Sequence, residues 1–249
     1  MIGQAISESD SRLRILNVPV DSVTMDVAIE KIERFIASGK PHIVVTADSA
    51  GIVLANKDPI FREIVESADL VTADSVGVIW AAKRKGRPLP ERVSGIDMFA
   101  KLCQGSAEKG YKLFFLGSAP GTAEMAAERC RLKFPGVNIV GARHGYFDPD
   151  SYELVAQEIA KTKPDVLFVA MGMPRQEKFI KETQSIIGAP VAMGVGGTLD
   201  VYSGKLKRAP KWVQKMKMEW LYRLFQNPKK ISKAKNLPIF IGMVLRARD

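Results

Sequence analysis

The sequence is poor in the residues that build metal and redox centres. Two cysteines and two histidines occur among 249 residues. Cys103 and Cys130 lie far apart, with no CxxC spacing and no histidine pair nearby, so they read as reduced thiols in a core rather than as a disulfide or zinc framework. His42 and His144 are isolated, and the single D-x-D spacing, Asp148-Pro149-Asp150, contains a proline and reads as a turn. No metal or other cofactor is therefore expected. No run approaches the ~20 apolar residues of a membrane span, and residues 1–15 lack the apolar centre of a signal peptide, so the protein is expected in the cytoplasm. A complete G-x-G-x-x-G fingerprint with an acidic ribose contact is missing, which argues against an NAD(P)-dependent oxidoreductase. Helix-turn-helix, zinc-finger and RNP-like signatures are missing as well, which argues against a nucleic-acid-binding protein.

What is present is enough apolar sequence, 46% of the chain, to bury a full core. The net charge of +10 is unevenly placed. Residues 1–204 carry 24 basic and 25 acidic side chains, whereas thirteen Lys/Arg from Lys205 onward face two acids, Glu219 and Asp249. Such polarity fits an anionic partner surface, nucleic acid or the inner membrane leaflet. It divides the chain into a core, 1–204, and a basic appendage, 205–249.

Along the core, strand and helix signals alternate. Residues 13–20 look extended. Thr24 can cap a helix over 25–37 that Gly39 ends, and 42–45 reads as a buried strand running into Thr46-Ala47-Asp48. Helices are expected over 98–109, 122–134 and 151–161, with another opening within 171–178 around Pro174 and running to 187, and strands over 112–116, 138–142, 165–170 and 190–195. The pattern predicts an α/β fold, a Rossmann-like, mostly parallel, doubly wound sheet. The turn Gly117-Ser118-Ala119-Pro120-Gly121 is compatible with a nucleotide but more often structural.

The most informative stretch is 70–95. An apolar strand signal, Leu70-Val71-Thr72-Ala73, stops at Asp74, and Ser75 can cap the following helix. Strand carboxyl ends border the ligand crevice of open α/β sheets, so Asp74 is a candidate acid, base or sugar contact; capping alone would equally account for it. Arg92, beside the turn Ser94-Gly95, suits a bidentate grip on phosphate, or is a solvated loop residue. Further on, Gly172-Met173-Pro174-Arg175-Gln176 opens a helix, with Gln176 able to reach toward an occupant of the crevice. Gly194-Val195-Gly196-Gly197 is either a diphosphate cradle or a tight turn.

Taken in order, Thr46-x-Asp48, Ala73-Asp74, Glu91-Arg92-Val93-x-Gly95, Gly172-x-Pro174-Arg175-Gln176-Glu177, Gly194-x-Gly196 and Lys207-Arg208-Ala209-Pro210 resemble the WecG/TagA/CpsF family of bacterial glycosyltransferases. The resemblance runs from about Ile15 into the basic tail. It implies a metal-independent, inverting enzyme that moves an N-acetylmannosamine-type or related sugar from a UDP-sugar donor to undecaprenyl-diphosphate-linked N-acetylglucosamine, in cell-envelope polysaccharide or teichoic acid synthesis. It implies Asp74 as general base and Thr46, Asp48, Arg92, Gln176, Gly196 and Arg208 as substrate contacts. Two positions depart from the family: Asp48 replaces asparagine and Ser75 replaces glycine. An acid at 48 cannot donate an amide hydrogen bond and adds negative charge beside Asp74.

In the tail, Trp212, Val213, Met216, Trp220, Leu224 and Phe225 form a helical stripe, and a basic segment, 229–235, leads into the apolar run 237–245. Either these helices pack on the core or they lie on a membrane, placing the protein peripherally on the inner face of the plasma membrane. The resemblance favours the membrane and brings Arg223, and Lys230 at a place where arginine is expected, to the active site. A homo-oligomer is compatible with the sequence, which does not fix the assembly.

Overall fold

The computed structural model describes residues 12–210, 212–213, 222 and 236–247. Strands β1 (Arg12–Ile15) and β2 (Val18–Asp21) pair as an antiparallel hairpin outside the main sheet. The single extended segment expected over 13–20 is broken by Leu16 and Asn17, both at positive φ, the geometry that two-residue hairpin turns require. Asp21, 4% exposed, ties the hairpin down: it holds the Arg12 guanidinium at 3.0 and 3.1 Å and accepts from Val71 N at 2.7 Å.

Local signals account for the starts of the first four helices. Helix α1 (Met25–Ser38) starts where Thr24 accepts from Val27 N at 3.3 Å and stops at left-handed Gly39. Strand β3 (His42–Ala47) leads to α2 (Ser49–Ala55) and then α3 (Pro59–Glu66), capped by Asp58. Strand β4 (Leu70–Ala73) is followed by α4 (Val76–Arg84), capped by Ser75 as expected, and by α5 (Gly95–Lys109). Next come β5 (Leu113–Gly117), α6 (Thr122–Lys133), β6 (Ile139–Arg143) and α7 (Tyr152–Ala160). The core closes with β7 (Val166–Ala170), α8 (Arg175–Ile187), β8 (Val191–Gly194) and the short α9 (Thr198–Tyr202). Beyond it lies α10 (Asn236–Arg246).

Six strands form one parallel sheet in the order β4-β3-β8-β7-β5-β6. Because strand side chains alternate between faces, each strand feeds two apolar layers: Phe114 and Leu116 pack on one side, Leu113 and Phe115 on the other. The first layer takes in the hairpin and helices α2, α3, α4, α7, α8 and α10; the second takes in α1, α5, α6 and α9. The doubly wound α/β fold is thus as the alternation predicts, with the hairpin as its antiparallel part. Phe240 and Val244 of α10 are 0% and 5% exposed and fill the first layer against α2 and α4, so chain beyond residue 204 completes the core.

Candidate functional site

The site forms at the carboxyl edge of the sheet, where β3 and β8 are neighbours but the helices after them leave for opposite faces. Diverging connections of this kind open a crevice above the strand ends. Thr46 is the last residue but one of β3, close against Gly95, whose added Cβ would lie 3.2 Å from Thr46 Cγ2. Asp48 caps α2 by accepting from Gly51 N at 2.7 Å, so its negative charge faces a helix amino terminus. An aspartate serves this cap as well as an asparagine does, which gives the departure at position 48 a structural role. The next loop is stitched to it: Ser75 Oγ accepts from Ser49 N at 3.2 Å and lies 3.1 Å from Ser49 Oγ. Serine at 75 therefore caps α4 and fixes the Asp48 and Asp74 loops to one another.

Asp74 is half-buried at the end of β4, with its N–H donating to Ala47 O at 2.9 Å. The loop that carries Arg92 returns to the same strand end, where Val93 N donates to Ala73 O at 2.9 Å and Arg92 Nη1 lies 3.5 Å from Asp74 O. Arg92 Nη2 stands 3.8 Å from Asp97 Oδ2, and Arg208 Nη2 donates to Asp97 Oδ1 at 2.5 Å. Ser94 Oγ donates to the remaining side of that carboxylate instead of capping α5. One carboxylate thus gathers two guanidiniums beside Asp74. Burial pushes the Asp97 pKa up, but the Ser94 hydroxyl and the two arginines outweigh it and hold the carboxyl below its ordinary value.

On the other side of the crevice, Gln176 is 3% exposed. Its Oε1 accepts from Gly172 N at 3.0 Å and Gly196 N at 3.1 Å, and its Nε2 donates to Glu177 Oε1 at 2.8 Å. The amide oxygen and one amide hydrogen join the loops after β7 and β8, so Gln176 shapes the crevice wall from within. Gly194 makes room for it, since a Cβ there would lie 2.4 Å from Nε2. Gly196, at φ 53, gives its amide to Gln176. Gly117 is structural too: a side chain would meet the Ala170 carbonyl at 2.5 Å.

The structure thus brings Thr46, Asp48, Asp74, Arg92 and Arg208 together at the ends of β3 and β4 and places Gln176 and Gly196 beneath the adjoining loops. Arg223 and Lys230 lie outside the described residues. Asp97 went unrecognised in the sequence, where it marked only the beginning of a helix; the Ser94-x-x-Asp97 spacing, close to that of a capping box, is the one local signal for it. Among the described residues no group of three or more His, Cys, Asp or Glu could hold a metal ion. A carboxylate beside paired guanidiniums can take a proton from a hydroxyl and stabilise a departing phosphate.

The family model for the glycosyl transferase WecG/TagA/CpsF family matches residues 13–249. The chain belongs to this family. A relative from Bacillus spizizenii, named N-acetylglucosaminyldiphosphoundecaprenol N-acetyl-beta-D-mannosaminyltransferase, is 35% identical over 212 residues, covering 85% of this chain and 82% of its own length. A protein of the same name from Staphylococcus aureus is 32% identical over 240 residues, covering 96% of this chain and 94% of its own. The family's glycosyl transfer accounts for a site built from a carboxylate and arginines.

Proposed function

We propose that this glycosyltransferase moves an N-acetylmannosamine-type sugar from UDP to the N-acetylglucosamine of an undecaprenyl-diphosphate-linked acceptor, without a metal ion. Asp74 takes the proton of the acceptor hydroxyl as its oxygen forms the bond to the anomeric carbon. The bond from that carbon to the UDP oxygen breaks on the opposite face, so configuration inverts and UDP leaves with the bonding electrons. Arg92 and Arg208 meet the charge that develops on the diphosphate, the part a divalent cation takes elsewhere. The observation that carries the reading is the meeting of Asp74, Arg92 and Arg208 at one strand end. The names of the two relatives support the substrates.

The acceptor is a lipid, and the tail supports a peripheral seat on the inner membrane face. No helix among the described residues is long and apolar enough to cross a bilayer. Helix α10 buries Phe240 and Val244 but leaves Ile239, Ile241 and Leu245 at 41%, 37% and 53% exposure. These exposed apolar side chains, within a basic tail, suit an anionic leaflet. The donor reading is tested by thermal unfolding with UDP, NAD or an oligonucleotide: UDP alone should raise the midpoint. Protection by NAD or the oligonucleotide, without UDP protection, contradicts it.

A further inference from the structure

We propose that Asp97 is a positioning residue that holds the Arg92 and Arg208 guanidiniums together as a single clamp for the donor diphosphate. The proposal rests on the donor reading given above. Two guanidiniums repel one another, and without an anion between them the side chains would move apart and lose the close spacing that a diphosphate needs. Asp97 supplies that anion from the first turn of α5, where the helix amino terminus also favours a carboxylate. Both of its oxygens are assigned: Oδ1 to Arg208 at 2.5 Å, Oδ2 to Ser94 Oγ at 2.5 Å and to Arg92 at 3.8 Å.

The two arginines are held unequally. Arg208 is fixed by a short charge-assisted hydrogen bond, whereas Arg92 stands at ion-pair distance and is steadied on its other side by the Asp74 carbonyl, 3.5 Å away. Arg208 Nε is buried with no hydrogen-bond partner among the described residues, a donor that a phosphate oxygen would satisfy. Arg208 also belongs to the start of the basic tail. The same carboxylate therefore sets the register of the tail's first residues against the loop that carries Arg92.

Titration calorimetry with UDP on the full chain decides the matter. Asp97→Asn, confirmed as folded by circular dichroism and a cooperative melt, should bind UDP about tenfold more weakly, because the arginines are no longer pre-organised. The cost of Arg208→Gln should shrink in the Asp97→Asn background, as expected for residues that act as one unit. Should Asp97→Asn not fold, Ser94→Ala, which keeps the charge but releases one oxygen, should weaken UDP by about threefold. Asp97→Asn within twofold of wild type while Arg92→Ala binds poorly would overturn the proposal and leave the donor reading standing. Wild-type protein with no affinity for UDP would overturn both.

Discussion

Asp97 has a pH signature of its own. Its carboxyl is held below the ordinary value of 3.8, burial opposing and the Ser94 hydroxyl, Arg208 and Arg92 prevailing. A folded-state pKa below the unfolded one gives stability that is present above the ordinary carboxylate range and lost as pH falls through the folded value. Burial raises the neighbouring Tyr202 hydroxyl far above neutrality, so it does not titrate in that range. The difference in melting temperature between wild type and Asp97→Asn should therefore be largest near neutral pH and shrink below about pH 4. A difference that grew on acidification would contradict the assignment. Gln176 makes a different demand. Gln176→Ala removes a buried acceptor shared by two part-buried amides, each bond worth about 1 kcal/mol, so urea unfolding should show a loss of stability and not merely weaker binding.

Among the elements, helices announced by caps are legible because the signal is local: Thr24, Ser75 and Gly39 each act where the sequence suggests. Asp48 was read as sugar chemistry, and its capping bond to Gly51 was missed because the same residue type serves both purposes. The Asp97–Arg208 pair was not legible at all, since 111 positions separate residues that only the closed sheet brings together. Helix α10 illustrates half a reading. Its apolar run was visible, but a hydrophobic stretch alone does not say which face meets a core and which meets a lipid. The buried face fits over Gly77, where an added Cβ would lie 3.5 Å from Phe240 and 2.3 Å from Ser49 Oγ. Phe240→Ala, a fully buried truncation, should cost about 3–5 kcal/mol in denaturant unfolding. A loss under about 1 kcal/mol would mean that α10 is not seated on the core in solution.

Over the whole molecule, charge and chemistry are divided. The near-neutral 1–204 segment supplies most of the crevice, Arg208 joins it from the basic tail, and the proposed seat on an anionic leaflet falls to the rest of that tail. Each lysine near such a leaflet contributes about 1 kcal/mol, so replacing Lys229, Lys230, Lys233 and Lys235 with glutamine should sharply reduce co-sedimentation with anionic vesicles. Binding by the unaltered chain should fall as salt rises, and salt-independent binding would speak against an electrostatic seat. The alternating core made the fold readable, and the motif order made the family readable, whereas the partnership between arginines and Asp97 required the fold. The most direct test of the account follows UDP release from UDP-N-acetylmannosamine in the presence and absence of a polyprenyl-diphosphate-linked N-acetylglucosamine acceptor. Wild type should release UDP only with acceptor, and Asp74→Asn should be slower by about 10²–10⁴ while still binding UDP. Turnover of Asp74→Asn within threefold of wild type, or no acceptor-dependent release by wild type, would contradict it.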